Sequence, residues 1–174
     1  MTSLRPGLAG LLMFAHALAI AHVTLEQPSA PAGSHYKAVF RVGHGCAGSP
    51  TIGLTVTLPP GVTGAKPMPK PGWSLATRIE KLAVPYRSHG RTITEDVAAV
   101  SWRGGPLPDA HYDEFVIRLR LPEAPGPLYF KVAQFCERGR IDWADIPAEG
   151  RTLEDYKTPA AVLEVLPADA PAHH

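Results

Sequence analysis

Along most of the chain, apolar and polar residues alternate with a period of two. From His35 to Val42, Tyr36, Ala38, Phe40 and Val42 fall on one face. Between Thr51 and Leu58 the apolar set is Ile52, Leu54, Val56 and Leu58. Between Asp113 and Leu121 it is Phe115, Ile117, Leu119 and Leu121, with Arg118 and Arg120 facing away. This is the period of a strand that buries one face. Leu128–Phe135 and Asp96–Trp102 are further strands, and shorter ones are expected at Val23–Gln27, Trp73–Ile79, Arg140–Trp143 and Ala161–Leu166. Pro59-Pro60-Gly61, Lys70-Pro71-Gly72, Gly104-Gly105-Pro106 and Ala124-Pro125-Gly126-Pro127 punctuate them as turns. About nine short strands with Pro/Gly turns predict an all-β fold, an antiparallel β-sandwich. Composition agrees. The 19 prolines and 16 glycines among 174 residues exclude a mostly helical chain, because each costs about 3 and about 1 kcal/mol inside a helix.

The first 21 residues break the pattern. Arg5 is followed by an apolar stretch, Leu8–Ala21, interrupted only by His16, and Ala19-Ile20-Ala21 has the small-x-small form of a cleavage site. The stretch is about 14 residues, short of the roughly 20 that span a bilayer. Residues 1–21 are therefore expected to be a secretory signal, with cleavage between Ala21 and His22. The domain is expected to run from 22 to 166, followed by a loose Pro/Ala-rich tail, 167–174.

Cleavage changes the chemistry. The remaining 153 residues lose Arg5 and no acid, so the formal charge falls from +1 to zero. A free α-amino group now sits on His22. The amine and the ring Nδ1 can bind one metal ion in a six-membered chelate. Ordinary amine and imidazole groups, with pKa values near 7.7–8.0 and 6.5, give up protons to a strong Lewis acid near neutral pH. Nitrogen ligands in a tetragonal array suit Cu(II). The plainer alternative is an ordinary solvated histidine left by the peptidase. His44, in Gly43-His44-Gly45-Cys46 at the end of a strand, is a second candidate ligand. Should the two meet, an amine and two imidazoles form a T-shaped histidine brace; the alternative for His44 is a surface-loop residue.

Cys46 and Cys136 are the only cysteines. In a secreted chain an even pair reads as one disulfide. Closing a loop of about 90 residues contributes on the order of 4 kcal/mol. Metal-binding or redox thiols are the alternative, although neither cysteine lies in a Cys-x-x-Cys motif.

Several segments together resemble a known family. They are His22-Val23-Thr24-Leu25-Glu26-Gln27-Pro28, Ala32-Gly33-Ser34, Val56–Val62, Pro69–Trp73, Asp113-Glu114-Phe115 and Gln134-x-Cys136-x-x-Gly139-x-x-x-Trp143. In this order they are similar to the YcnI-like family (DUF1775), over roughly His22 to Leu166. The resemblance implies an immunoglobulin-like sandwich that binds copper outside the cytoplasm. It implies Cu(II) held by the N-terminal histidine, here His22, through amine and Nδ1, with a carboxylate and a tryptophan nearby. Trp143 maps onto that tryptophan, as a ligand or a neighbour that excludes water; plain core is its alternative. The carboxylate does not map, and His44 stands where it is expected. A C-terminal membrane helix common in the family is not found, so the expected location is the periplasm. A copper chaperone or membrane copper importer is the implied partner.

Other candidates are weaker. Glu26 lies on the same strand face as His22 but about 13 Å along. His35, His89 and His111 read as surface residues, Trp73 and Trp102 as core. Glu137, Asp142 and Asp145 lie close to Trp143 in sequence, and His173-His174 ends the chain. The balanced charge argues against nucleic acid or an anionic membrane surface as the main partner. Three function classes remain: a Cu(II) carrier, a histidine-brace copper oxidase or monooxygenase, and a structural sandwich without metal. Two glycosidase carboxylates, a Gly-x-Ser-x-Gly elbow and a phosphate loop are not seen. Three methionines, Met1, Met13 and Met68, are too few for a thioether site selecting Cu(I).

Overall fold

A computed structural model describes residues 22–168. The expected signal segment and its cleavage junction, and tail residues 169–174 with His173 and His174, lie outside the described residues.

The described chain folds into eleven strands: β1 (Thr24–Leu25), β2 (Ser29–Pro31), β3 (His35–Val42), β4 (Thr51–Thr57), β5 (Thr63–Pro67), β6 (Trp73–Ser88), β7 (Arg91–Leu107), β8 (Asp113–Arg120), β9 (Gly126–Cys136), β10 (Arg140–Trp143) and β11 (Ala161–Leu166). Among the described residues, the one helical element is a 3-10 turn, Leu153–Asp155. One sheet has the order β1-β3-β8-β5. The other runs β2-β11-β9-β4-β7-β6, and β10 takes up the edge of β9 beyond the point where β11 stops. The all-β expectation holds, with two refinements. Pairing is antiparallel except for β2 against β11, which is parallel. β2 and β5 bring the count above nine, because short edge strands with Gly and Pro carry little alternation.

The two inner faces make the core. Tyr36, Ala38, Phe40 and Val42 of β3 are buried, as are Phe115, Ile117 and Leu119 of β8 and the following Leu121. Burying each large side chain contributes roughly 1.5–3 kcal/mol. Phe40 meets Phe130 edge-on at 5.5 Å, joining the two sheets. Trp102 is fully buried against Phe115, and its indole nitrogen donates to the Met68 carbonyl at 3.1 Å. Trp73 is only partly buried at the margin of this cluster.

One expected face is corrected. Leu54 and Val56 point inward, but Ile52 is 37% exposed and Thr51 is buried. The register slips between Thr51 and Gly53 against both neighbouring strands. A bulge of this kind reverses the side-chain parity on its far side. The turned-in Thr51 becomes part of the candidate site.

Candidate metal site

β1 is only two residues long, but its register against β3 matters. Thr24 pairs with Arg41 and Leu25 with Phe40. Extended by two residues, that register sets His22 opposite Gly43. The start of the domain is thus carried to the loop that follows β3, where His44 sits half-buried.

Bonds within the loop and to its neighbours hold it in place. The Cys46–Cys136 disulfide, with Cα atoms 5.9 Å apart, fastens it to the end of β9. The Gly45 amide donates to Asp109 Oδ1 at 2.8 Å. Cys46 and Ser49 exchange backbone hydrogen bonds across a tight turn. Gly45 must be glycine here, since a Cβ would run into the Ser49 carbonyl.

Trp143 joins both histidines. It lies on β10, paired with Val132 of β9, and is 2% exposed. The His22 ring is 5.7 Å from the Trp143 ring and tilted by 58°; the His44 ring is 6.0 Å away and nearly perpendicular. The indole nitrogen donates to Gln134 Oε1 at 2.9 Å, and Gln134 Nε2 donates to the His44 carbonyl and to Thr51 Oγ1, both at 2.7 Å. Gln134 is fully buried. Its amide therefore orients the indole and holds the His44 backbone at once.

His22 Nε2 is buried without a hydrogen-bond partner. An orphaned buried nitrogen costs roughly 1–3 kcal/mol, so this ring sits in a place that still wants a polar partner. The Nδ1 atom, the one able to chelate with the amine, lies on the other side of the ring. In the 174-residue chain the His22 nitrogen belongs to a peptide bond and cannot serve as an amine. Among the described residues, no group of three or more His, Cys, Asp and Glu side chains is placed to hold a metal ion. The cluster offers two imidazoles, and a third nitrogen exists only after cleavage before His22.

The other sequence candidates fall elsewhere. Glu26 is on the surface, paired with Arg41 at 3.1 Å. Asp142 is held by Arg140, and Asp145 accepts from Thr158 at 2.8 Å. Glu137, His35, His89 and His111 are exposed. Sequence reasoning did not single out Gln134 or Asp109 as site residues. An inward-facing Gln between Val132 and Cys136 is the signal that identifies the first. Asp109 belongs to a turn and comes near Gly45 only through the fold.

The disulfide accords with an extracellular or periplasmic setting. Among the described residues no helix is long and apolar enough to cross a membrane. No functionally curated protein matches the chain. The fold is similar to an uncharacterized protein from Nocardia farcinica with an immunoglobulin-like fold, at 25% identity and TM-score 0.63, covering 83% of this chain and 97% of that one. A putative membrane anchored protein from Corynebacterium diphtheriae matches at 12% identity and TM-score 0.42, over 87% of this chain and 35% of that one. The sandwich is thus immunoglobulin-like, and the family profile described as a domain of unknown function (DUF1775) matches residues 22–165. The chain belongs to that family.

Proposed function

We propose that the chain, once cleaved before His22, is a periplasmic or secreted Cu(II)-binding protein that carries or buffers copper. The observation that carries this reading is the convergence of His22 and His44 on Trp143. Copper is the cargo. The His22 amine and Nδ1 chelate it, His44 supplies the opposing imidazole, and Trp143 walls the site from water. Three nitrogens in a tetragonal array select Cu(II) over softer-site metals. A copper chaperone or membrane importer is the fitting partner. Binding and delivery, rather than turnover, is the activity assigned. A histidine-brace oxidase is its competitor, and oxygen or peroxide consumption by the reduced copper form, with and without chitin or cellulose, separates them.

The test compares the chain beginning at His22 with the same chain carrying one extra alanine in front. The extension abolishes the chelate and should lower Cu(II) affinity at least a hundredfold in a competition titration. Equal affinity would exclude the N-terminal site. His44→Ala should change the Cu(II) EPR parameters, and an unchanged spectrum would remove His44 from the ligand set.

A further inference from the structure

The β6–β7 hairpin carries a feature unrelated to the metal cluster. Lys81 pairs with Glu95 and Tyr86 with Ile93, so four residues, Leu82–Pro85, face the single residue Thr94. The strand bulges outward there. Val84 is 81% exposed, Ile79 is 59% exposed, and Ala83 and Pro85 are on the surface. An aliphatic side chain held this far out on a bulge buries nothing within its own chain.

Its own stretch of the hairpin carries charge of one sign. From Lys81 to Thr94 the sequence holds Lys81, Arg87 and Arg91, with His89 between, and no acid. Among the described residues none of these three cations is in an ion pair. Of the flanking acids, Glu80 is bound by Arg78, and Asp96 accepts from the Gly64 amide and the Tyr86 hydroxyl. Glu95 lies across from Lys81, and Glu123, held by Arg120, borders the surface depression that Arg87 and His89 line. The near-zero charge of the whole chain conceals this cluster. Screening confines the interaction to about 8–10 Å, so the local charge decides what binds.

We propose that the hairpin tip docks on an anionic lipid surface, Val84 and its bulge entering the interface while Arg87, Arg91 and Lys81 meet the headgroups. Projecting aliphatic residues flanked by cations suit such an interface; a nucleic acid would leave Val84 without a role. The far end of β7, Leu107, lies across from Thr51, which in turn pairs with Cys136. Docking through the tip therefore holds the His22 end clear of the bilayer. The proposal does not depend on copper.

The test is co-sedimentation of the chain from His22 onward, which contains every strand of the sandwich, with chelator present. Vesicles of phosphatidylcholine alone are compared with vesicles containing half phosphatidylglycerol. Binding is expected only to the anionic vesicles and should fall with added salt. Each cation near the surface is worth about fivefold in partitioning, so Arg87→Glu with Arg91→Glu should lower it at least 25-fold. Val84→Asp should lower it at least tenfold, and Val84→Trp should show a blue-shifted emission on the anionic vesicles. The proposal is overturned by failure to bind either vesicle, or by equal binding of all variants. Loss in the arginine variant with full retention in Val84→Asp overturns it too, pointing to a purely ionic surface such as an acidic protein would use.

Discussion

The Trp143 indole donates its proton to Gln134 Oε1 at 2.9 Å, and the same amide donates from Nε2 to the His44 carbonyl at 2.7 Å. One buried side chain thus sets the wall of the candidate site and the backbone of one of its candidate ligands. The third bond of Gln134, to Thr51 Oγ1, depends on the bulge that turns Thr51 inward. A fully bonded buried network of this kind resists any single change, because each removed partner strands another polar group.

Gln134→Leu keeps the volume but leaves the indole N–H, the His44 carbonyl and the Thr51 hydroxyl without their partner. Stability should fall by about 2–4 kcal/mol, measured by denaturant unfolding. A change below about 0.5 kcal/mol would show that the network contributes little.

Trp143 is also a reporter. Cu(II) quenches a nearby indole, and Trp143 stands beside both His22 and His44, while Trp102 is bonded to Met68 in the core. In the chain beginning at His22, Trp143→Phe should abolish most copper-dependent quenching of fluorescence. Quenching undiminished in the variant would place copper elsewhere.

The disulfide spans 90 residues. Replacing Cys46 and Cys136 together by alanine should cost about 3–5 kcal/mol of stability in guanidinium unfolding. It should also weaken Cu(II) binding about tenfold, since Cys46 anchors the loop that presents His44. Unchanged affinity with lowered stability would separate the anchor from the site.

Alkaline pH should unfold the protein through its tyrosines. Burial, aided by the charge of Glu26, holds the Tyr36 phenol well above its usual range, and its hydroxyl donates to the Gln27 carbonyl at 2.6 Å. Burial, then the hydrogen bond and charge of Asp96, raise Tyr86 to about 12. The folded state thus favours the neutral phenols. Their contribution is complete below the unfolded value near 10 and is lost as pH rises through the folded values. Stability should be level up to about pH 10 and decline above it, with Tyr36→Phe showing a shallower decline. An identical slope in the variant would remove Tyr36 as a cause.

The alternation of β3 and β8 made both core faces legible in the sequence, because a period-two pattern needs only local chain geometry to sort inside from outside. The cysteine pair was legible for a different reason: two thiols have only one intramolecular pairing available. Ile52 defeated the same reasoning, since a one-residue bulge depends on what β7 and β9 offer as partners and leaves no mark on the pattern itself. His22 and His44 could be named from the chain, one by the cleavage pattern and one by its glycines, but 22 residues of separation say nothing about contact. Their approach to Trp143, 99 residues beyond His44, is decided by the β1–β3 and β9–β10 registers together. Asp109, which reaches Gly45 from 64 residues away, belongs to the same class. Sequence by itself determined most of the strands, the core faces of β3 and β8, and the chemistry available at each position. Only the tertiary structure decided which of those groups share a place, because burial of two sheet faces brings together residues that local interactions cannot reach.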